Sequence, residues 1–417
     1  MDDYNFTEFF DRDVLRKRPY LNKQAGIVIN LCTCWVCCRQ PENINLTDSE
    51  EGAMPKGLKI AINTGGGDAP GLNAVIEAVV LAGHNRQWEV YGIRNGYTGL
   101  LNTDEIMRLT PEKVRHISSQ GGTIIGTTNK GNPFQMPIKN MAGETEIRDV
   151  SDKVIENFKR LRFDCLIAVG GDGSLKIAHD FFKKGMPVVG VPKTIDNDLA
   201  ATVITFGFDT AVSIATEALD RLHSTAKSHD RVMVIEVMGR HAGWIALNSG
   251  ISGAASVILI PEVPFDMDKV CDHIMDMEIH GNRYAIVVAA EGAKPAGGSI
   301  IAKGNGELGR QDVILGGIGD YVAKEIAKKT GKDTRSMVLG HLQRGGSPTT
   351  FDRLLSLRFG AAAVRIIEEG KFGTMVALEP PVIKAVPLED VIDKIKRVDL
   401  NSDTVQTARD IGICFGD

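Results

Sequence analysis

The sequence has no surplus of basic charge. Its 48 Lys and Arg stand against 53 Asp and Glu, a formal net charge of −5, which removes the electrostatic ground for a nucleic-acid partner. It also lacks a disulfide framework: of seven cysteines, Cys32, Cys34, Cys37 and Cys38 crowd together while Cys165, Cys271 and Cys414 stand alone. That pattern fits a reducing, cytoplasmic setting. The apolar stretch AGIVINLCTCWVCC at 25–38 is far too short to span a bilayer, so no membrane partner is expected. No long low-complexity linker interrupts the chain after residue 57, and no repeat of fixed period runs through it. What remains, 417 residues that are 43% hydrophobic and 24% charged, has the length for two cores.

A standard phosphate motif is missing too. KIAINTGGGDAPGLNAVIEAVV, from Lys59 to Val80, reads as a strand, a glycine turn and a helix, the layout that cradles a phosphate. Yet Gly71 is followed by Leu72 instead of a Walker Lys-Ser/Thr, and Gly65 and Gly67 lead to Pro70 instead of a third dinucleotide-binding glycine.

Residues 1–57 differ from everything after them. The length of the apolar run and the acidic residues at the start weigh against a signal or anchor, and four tightly packed cysteines with no histidine nearby make a poor tetrahedral zinc site. The expectation is an extension that is disordered or not native, with a natural start at Met54.

From Leu58 onward, short β-branched runs alternate with glycine turns and amphipathic helices, which predicts an α/β fold with mainly parallel sheets. The runs are LKIAIN, WEVYGI, DCLIAV, PVVGV, RVMVIEV, SVILIP, YAIVVAA and SMVLG. Ligands in such folds gather at the carboxyl ends of strands, and there the unusual residues lie. Gly170-Gly171-Asp172-Gly173-Ser174 follows DCLIAV; Asp172 suits either a Mg²⁺ ion that binds phosphate oxygens or a cap on a helix opening at Ser174. Next, PKTIDND sets Thr194, Asp196 and Asp198 two apart, which in extended chain places a hydroxyl and two carboxylates on one side. Repulsion between such carboxylates raises one pKa and prepares it to accept a proton. Arg231, Arg240, Arg335 and Arg344 flank strands with His341 and Glu291, a set that can clamp a monophosphate and accept sugar hydroxyls.

Together GGGDAPGLNA, GGDGS, PKTIDND, TFGFDTA, SHDRVMVIEVMGRHAGW, VLGHLQRGGSP and FDR closely resemble the phosphofructokinase family, and the match runs from Leu58 to near the C-terminus. The resemblance implies two interleaved Rossmann-like domains with the active site in the cleft between them. It assigns 58–207 plus about 343–397 to the phosphoryl donor, and 208–342 plus about 398–417 to fructose 6-phosphate. It implies that Asp196 deprotonates the 1-hydroxyl, Thr194 contacts the transferred phosphoryl group and Arg240 neutralises it. Asp172 would hold Mg²⁺, with Asp198 assisting indirectly. Ile195, Met238, Gly239, Glu291, His341, Leu342, Gln343 and Arg344 would surround the sugar phosphate. Arg231 and Arg335 would come from a neighbouring subunit of a homo-oligomer, a dimer or tetramer. Gly66, Gly67, Gly171, Gly173, Ser174 and Lys130 would line the donor.

The family contains ATP and pyrophosphate users. Pyrophosphate users usually carry Asp where this chain has Gly173, and Lys where it has Lys193; typical ATP users have Gly at both. Gly173 leaves room for the α-phosphate of a nucleotide, so ATP is the expected donor, with pyrophosphate the alternative. A carboxylate in that place would repel that phosphate. Where short bacterial ATP enzymes of the family carry an effector-reading arginine this chain has Glu77, and one turn later Leu81, so ADP activation at that site is not expected. Lipid or NAD kinases share a GGDG turn but need neither PKTIDND nor the arginines. An inactive regulatory subunit of the same fold is expected to have lost one of Asp172, Thr194, Asp196 and Asp198, and all four are present.

Overall fold

The computed structural model describes residues 57–140, 143–304 and 314–417. The extension expected before Leu58 lies outside them except for Gly57. The large sheet has seven strands, in the order Val382–Pro387, Thr374–Glu379, Val188–Pro192, Cys165–Gly170, Lys59–Thr64, Glu89–Ile93 and Ile106–Leu109. Its inner pairings are parallel and its two edges antiparallel. The small sheet has four strands, Thr334–Val338, Val232–Val237, Ala285–Ala290 and Val257–Leu259, all parallel.

The inner strands Cys165–Gly170, Val188–Pro192, Val232–Val237 and Ala285–Ala290 are buried along their whole length because helices cover both faces. Ile60, Ile62, Ile167 and Val169 pack under the helices Leu72–His84 and Thr350–Glu368, while Ala61, Leu166 and Ala168 pack against Ser151–Arg160 and Asp172–Lys183. The small sheet repeats the plan. Ile235, Val237, Ile286 and Val288 face the helices Phe208–Ser228 and Trp244–Ser252; Val232, Val234 and Val287 face Met267–Ile279 and Ile318–Thr330. The chain leaves the large sheet after Pro192, builds the small one, and returns through Thr350–Glu368 to lay Thr374–Glu379 beside Val188–Pro192. Its end goes back once more, with Cys414 bridging Val257.

Three readings need correction. The strand expected at SMVLG begins earlier, at Thr334, and ends at Val338, because Gly340 at φ 49 turns the chain into a 3-10 helix. The helix after GGDG opens at Asp172, with Gly171 as its uncapped N-cap, so Asp172 does not cap a helix starting at Ser174. PKTIDND is bent, not extended: Asn197 is left-handed at φ 51 and the Asp196 N–H donates to Thr194 Oγ1 at 3.1 Å. Thr194, Asp196 and Asp198 still share one side, being half-buried while Ile195, Asn197 and Leu199 are buried.

Candidate active site

The glycine turn after Lys59–Thr64 is a wall against which other motifs close. Gly66 is left-handed at φ 80, and its N–H donates to the Thr128 carbonyl at 2.9 Å. A Cβ at Gly65 would lie 2.6 Å from Ser174 Oγ, one at Gly66 3.3 Å from Lys193 Nζ, and one at Gly67 2.8 Å from Arg344 Nη1. Glycine at these positions lets three side chains approach the backbone closely, and a side chain at any of them would displace Ser174, Lys193 or Arg344. Lys130 is exposed on the loop that carries Thr128, where its N–H donates to Thr128 Oγ1 at 3.1 Å.

Lys193 extends the strand Val188–Pro192 through a bridge to Phe206, and its side chain is buried. Its Nζ donates to the Gly67 carbonyl. Burial, then the Arg344 guanidinium, draws its pKa down to about 7, against the pull of Asp68, Asp196 and Asp198.

Asp196 is the central group. Its Oδ1 is buried with no hydrogen-bond partner among the described residues. Burial pushes its pKa up to about 7; Asp198 and Glu291 push the same way, and Arg344 and Lys193 oppose them. A carboxylate so placed ionises with difficulty and is a competent proton acceptor near neutrality. Asp172 is also held above the usual carboxylate range, first by burial, with Asp393 and Asp198 as like-charged neighbours. The Asp393 N–H donates to Asp172 Oδ1 at 3.1 Å.

The small sheet supplies the facing groups. Val232–Val237 runs into Met238, whose N–H donates to Gln343 Oε1 at 3.3 Å, and Gly239, at φ 135, where a Cβ would lie 2.8 Å from the Ala242 carbonyl. Glu291 follows Ala285–Ala290, and its N–H donates to the Val237 carbonyl at 2.9 Å. Gln343 is fully buried, whereas His341 and Leu342 are exposed. Arg240 is half-buried in the loop after Gly239. Ile195 packs its side chain into the core of the small sheet, which leaves only its backbone to meet a ligand.

Asp196, Asp198, Glu291, Lys193 and Arg344 thus act on one another, with Asp172 beside Asp198. Arg231 and Arg335 do not join them: both form ion pairs with Asp333 next to the outer strand of the small sheet. Sequence reading missed Asp68, Asp393 and Lys396. Asp393 left no signal in the sequence; the structure alone shows it, left-handed at φ 57 with its N–H on Asp172 Oδ1. Among the described residues no group of three or more His, Cys, Asp or Glu is arranged to hold a metal ion, so a cation there would rest on few carboxylates.

A family model described as Phosphofructokinase matches residues 59–367. The chain belongs to the phosphofructokinase family. An ATP-dependent 6-phosphofructokinase of Chloroflexus aurantiacus is 49% identical over 366 residues, covering 87% of this chain and 99% of that protein. A pyrophosphate–fructose 6-phosphate 1-phosphotransferase of Streptomyces coelicolor is 45% identical over 361 residues, 86% of this chain and 100% of that one. Among solved structures, phosphofructokinase from Saccharomyces cerevisiae superposes with a TM-score of 0.69 at 30% identity, over 80% of this chain and 45% of that longer one. The α/β architecture of mostly parallel sheets is therefore the phosphofructokinase fold.

Proposed function

We propose that this chain is an ATP-dependent 6-phosphofructokinase, which moves the γ-phosphoryl group of ATP to the 1-hydroxyl of D-fructose 6-phosphate and releases ADP and fructose 1,6-bisphosphate. The observation that carries this reading is Asp196, a half-buried carboxylate whose buried Oδ1 has no hydrogen-bond partner among the described residues, set between the basic side chains of Lys193 and Arg344 and acidic Asp198 and Glu291. In the reaction its carboxylate takes the hydroxyl proton as the new O–P bond forms and the bond to the β-phosphate oxygen breaks. Positioning and charge neutralisation supply most of the acceleration. Lys193, Arg240 and Arg344 neutralise charge on the moving group, and Thr194 positions it.

The donor lies over the large-sheet turns, Gly66, Gly67, Gly171, Gly173 and Ser174, with Lys130 at the rim; the sugar phosphate lies over Met238, Gly239, Glu291, His341, Leu342, Gln343 and Arg344 of the small-sheet side. Asp172 and Asp198 fit a divalent cation: they are hard oxygen donors whose mutual repulsion a cation relieves, and Mg²⁺ accepts one or two carboxylates with waters and phosphate oxygens. When bound, the ion offsets donor phosphate charge. A homo-oligomer in which Arg231 and Arg335 complete a neighbour's 6-phosphate site is supported by their separation from the Asp196 group. No helix among the described residues is long and apolar enough to cross a membrane, and a cytoplasmic place is the reading we adopt.

The test is turnover of fructose 6-phosphate measured separately with ATP and with pyrophosphate. Turnover with ATP supports the reading. Turnover with pyrophosphate and none with ATP replaces the donor, and none with either sinks the function.

A further inference from the structure

A lysine ammonium has three N–H donors and no acceptor, so a lysine with all three engaged has its orientation fixed. Lys396 is such a residue. Its Nζ donates to Asn197 Oδ1 at 2.8 Å, to the Val203 carbonyl at 2.9 Å and to the Thr202 carbonyl at 3.1 Å. Its own N–H donates to the Asp198 carbonyl at 2.8 Å, and its carbonyl accepts the Trp244 indole N–H at 2.9 Å. The ammonium also sits 5.8 Å from the centre of the Trp244 ring, within cation–π reach. Burial lowers its pKa to about 8 while Asp198 raises it, so the group stays charged at neutral pH.

The neighbours of Lys396 extend the pattern. Asp393 reaches Asp172, Ile395 bridges Leu199, and the Val398 N–H donates to Glu262 Oε1 at 2.9 Å. Glu262 in turn accepts the Gly243 N–H at 3.1 Å, at the start of the helix Trp244–Ser252. One short segment thus touches the GGDG helix, the PKTIDND turn and the loop that carries Arg240. At its centre is Asn197, a left-handed residue between the two aspartates. Asparagine tolerates that conformation better than most residues, but it persists only where its surroundings over-determine it. Lys396 and the Thr205 N–H, at 3.1 Å, both bond Asn197 Oδ1.

We propose that Lys396 is a positioning residue for phosphoryl transfer: its ammonium locks Asn197 and thereby sets Asp196 and Asp198 against the Arg240 loop and the Asp172 helix. The proposal rests on the function given above, since it names what holds that site in register.

Lys396→Ala and Lys396→Met are assayed with fructose 6-phosphate and ATP, and amide hydrogen exchange is followed over 194–205. A misplacement of about 1 Å costs on the order of 10²-fold in rate, so kcat should fall by roughly 10- to 100-fold with little change in the KM for fructose 6-phosphate. Exchange over 194–205 should quicken. Propylammonium, which replaces the missing ammonium in Lys396→Ala, should restore part of kcat and of the protection while leaving the wild type unchanged. Wild-type kcat in both variants, unaltered exchange over 194–205, or a loss that propylammonium never mends overturns the proposal. Should neither variant fold, Asn197→Gly reads the same link, because glycine keeps the left-handed backbone while removing the oxygen that Lys396 and the Thr205 N–H both bond; a wild-type kcat there also overturns it. A wild type inactive with both phosphoryl donors refutes the function instead, and the exchange and its rescue by propylammonium still decide the role of Lys396.

Discussion

Arg344 Nη1 donates to the main-chain carbonyl of Asp68 at 3.0 Å, so the arginine of a late motif closes the glycine turn of the first one. The same guanidinium favours the ionised form of Asp196 and disfavours the charged form of Lys193. Arg344→Met removes that cation, and both groups then titrate at higher pH. The acid limb of the kcat/KM profile should move to higher pH, because Asp196 must be deprotonated to accept a proton. A pH–rate profile of the variant checks this, and an unmoved limb places Arg344 outside the reacting group.

Asp196 itself should set that limb. With its pKa raised to about 7 from the carboxylate reference of 3.8 in the free protein, kcat/KM rises as pH passes through about 7, where an unperturbed aspartate would give a limb near 4. Asp196→Asn should lower kcat by about 10²–10⁴-fold, the usual contribution of a general base, and abolish the limb. Fructose 6-phosphate binding, read by calorimetry, should persist.

The parallel strands were legible because burial on both faces leaves an unbroken apolar run, as in Cys165–Gly170 and Ala285–Ala290. The edge strand Ile106–Leu109 was not, since it mixes half-buried Ile106 and Met107 with exposed Arg108, and the hairpin of Thr374–Glu379 with Val382–Pro387 ends in a similarly mixed edge. Asp172, Thr194, Asp196 and Asp198 stood out because each lies in a distinctive turn at a strand end. Lys396 did not. Its surroundings, VIDKIKRVD, read like any solvated segment, and its role comes from Asn197, 199 residues away in the chain. The domain boundary expected near 397 falls inside this segment.

The first turn offers a contrast between two glycines. At Gly67 an added Cβ meets only the far end of the Arg344 side chain, at 2.8 Å, so Gly67→Ala should leave Tm nearly unchanged while lowering kcat through the displaced guanidinium. Gly71 is left-handed at φ 111, and its Cβ would strike Ser356 and lie 2.8 Å from the buried Phe206 ring. Left-handed backbone alone costs a non-glycine residue about 1–2 kcal/mol, so Gly71→Ala should lower Tm. Thermal melts and steady-state assays of both variants separate the two effects.

Asp352 predicts how stability varies with pH. It is fully buried, its Oδ2 accepts the Thr210 N–H at 2.7 Å and hydroxyl at 2.6 Å, and its Oδ1 has no hydrogen-bond partner among the described residues. Burial raises its pKa to about 6 from 3.8, against the bonds from Thr210. The folded state therefore holds this proton more tightly than the unfolded chain, and the stabilisation it brings is present below pH 3.8 and lost as pH rises through 6. Asp352→Asn keeps an acceptor for Thr210 and cannot ionise. Denaturant melts should show that the variant loses less stability than the wild type between pH 4 and pH 7.

Subunit sharing of the 6-phosphate site has a direct test in complementation. Arg231 and Arg335 both pair with Asp333, away from the group around Asp196. If they serve a neighbour, Asp196→Ala subunits still lend their arginines, and Arg335→Ala subunits still carry an intact base. Each variant alone should be nearly inactive at low fructose 6-phosphate, the first through kcat and the second through KM. Unfolding the two together and refolding them as a mixture creates hybrid oligomers in which an intact base faces intact arginines. Activity of the mixture above the sum of the separately refolded variants is the expected result. If the mixture gives only that sum, the arginines act within their own subunit, and the ion pairs with Asp333 must open for them to reach the substrate.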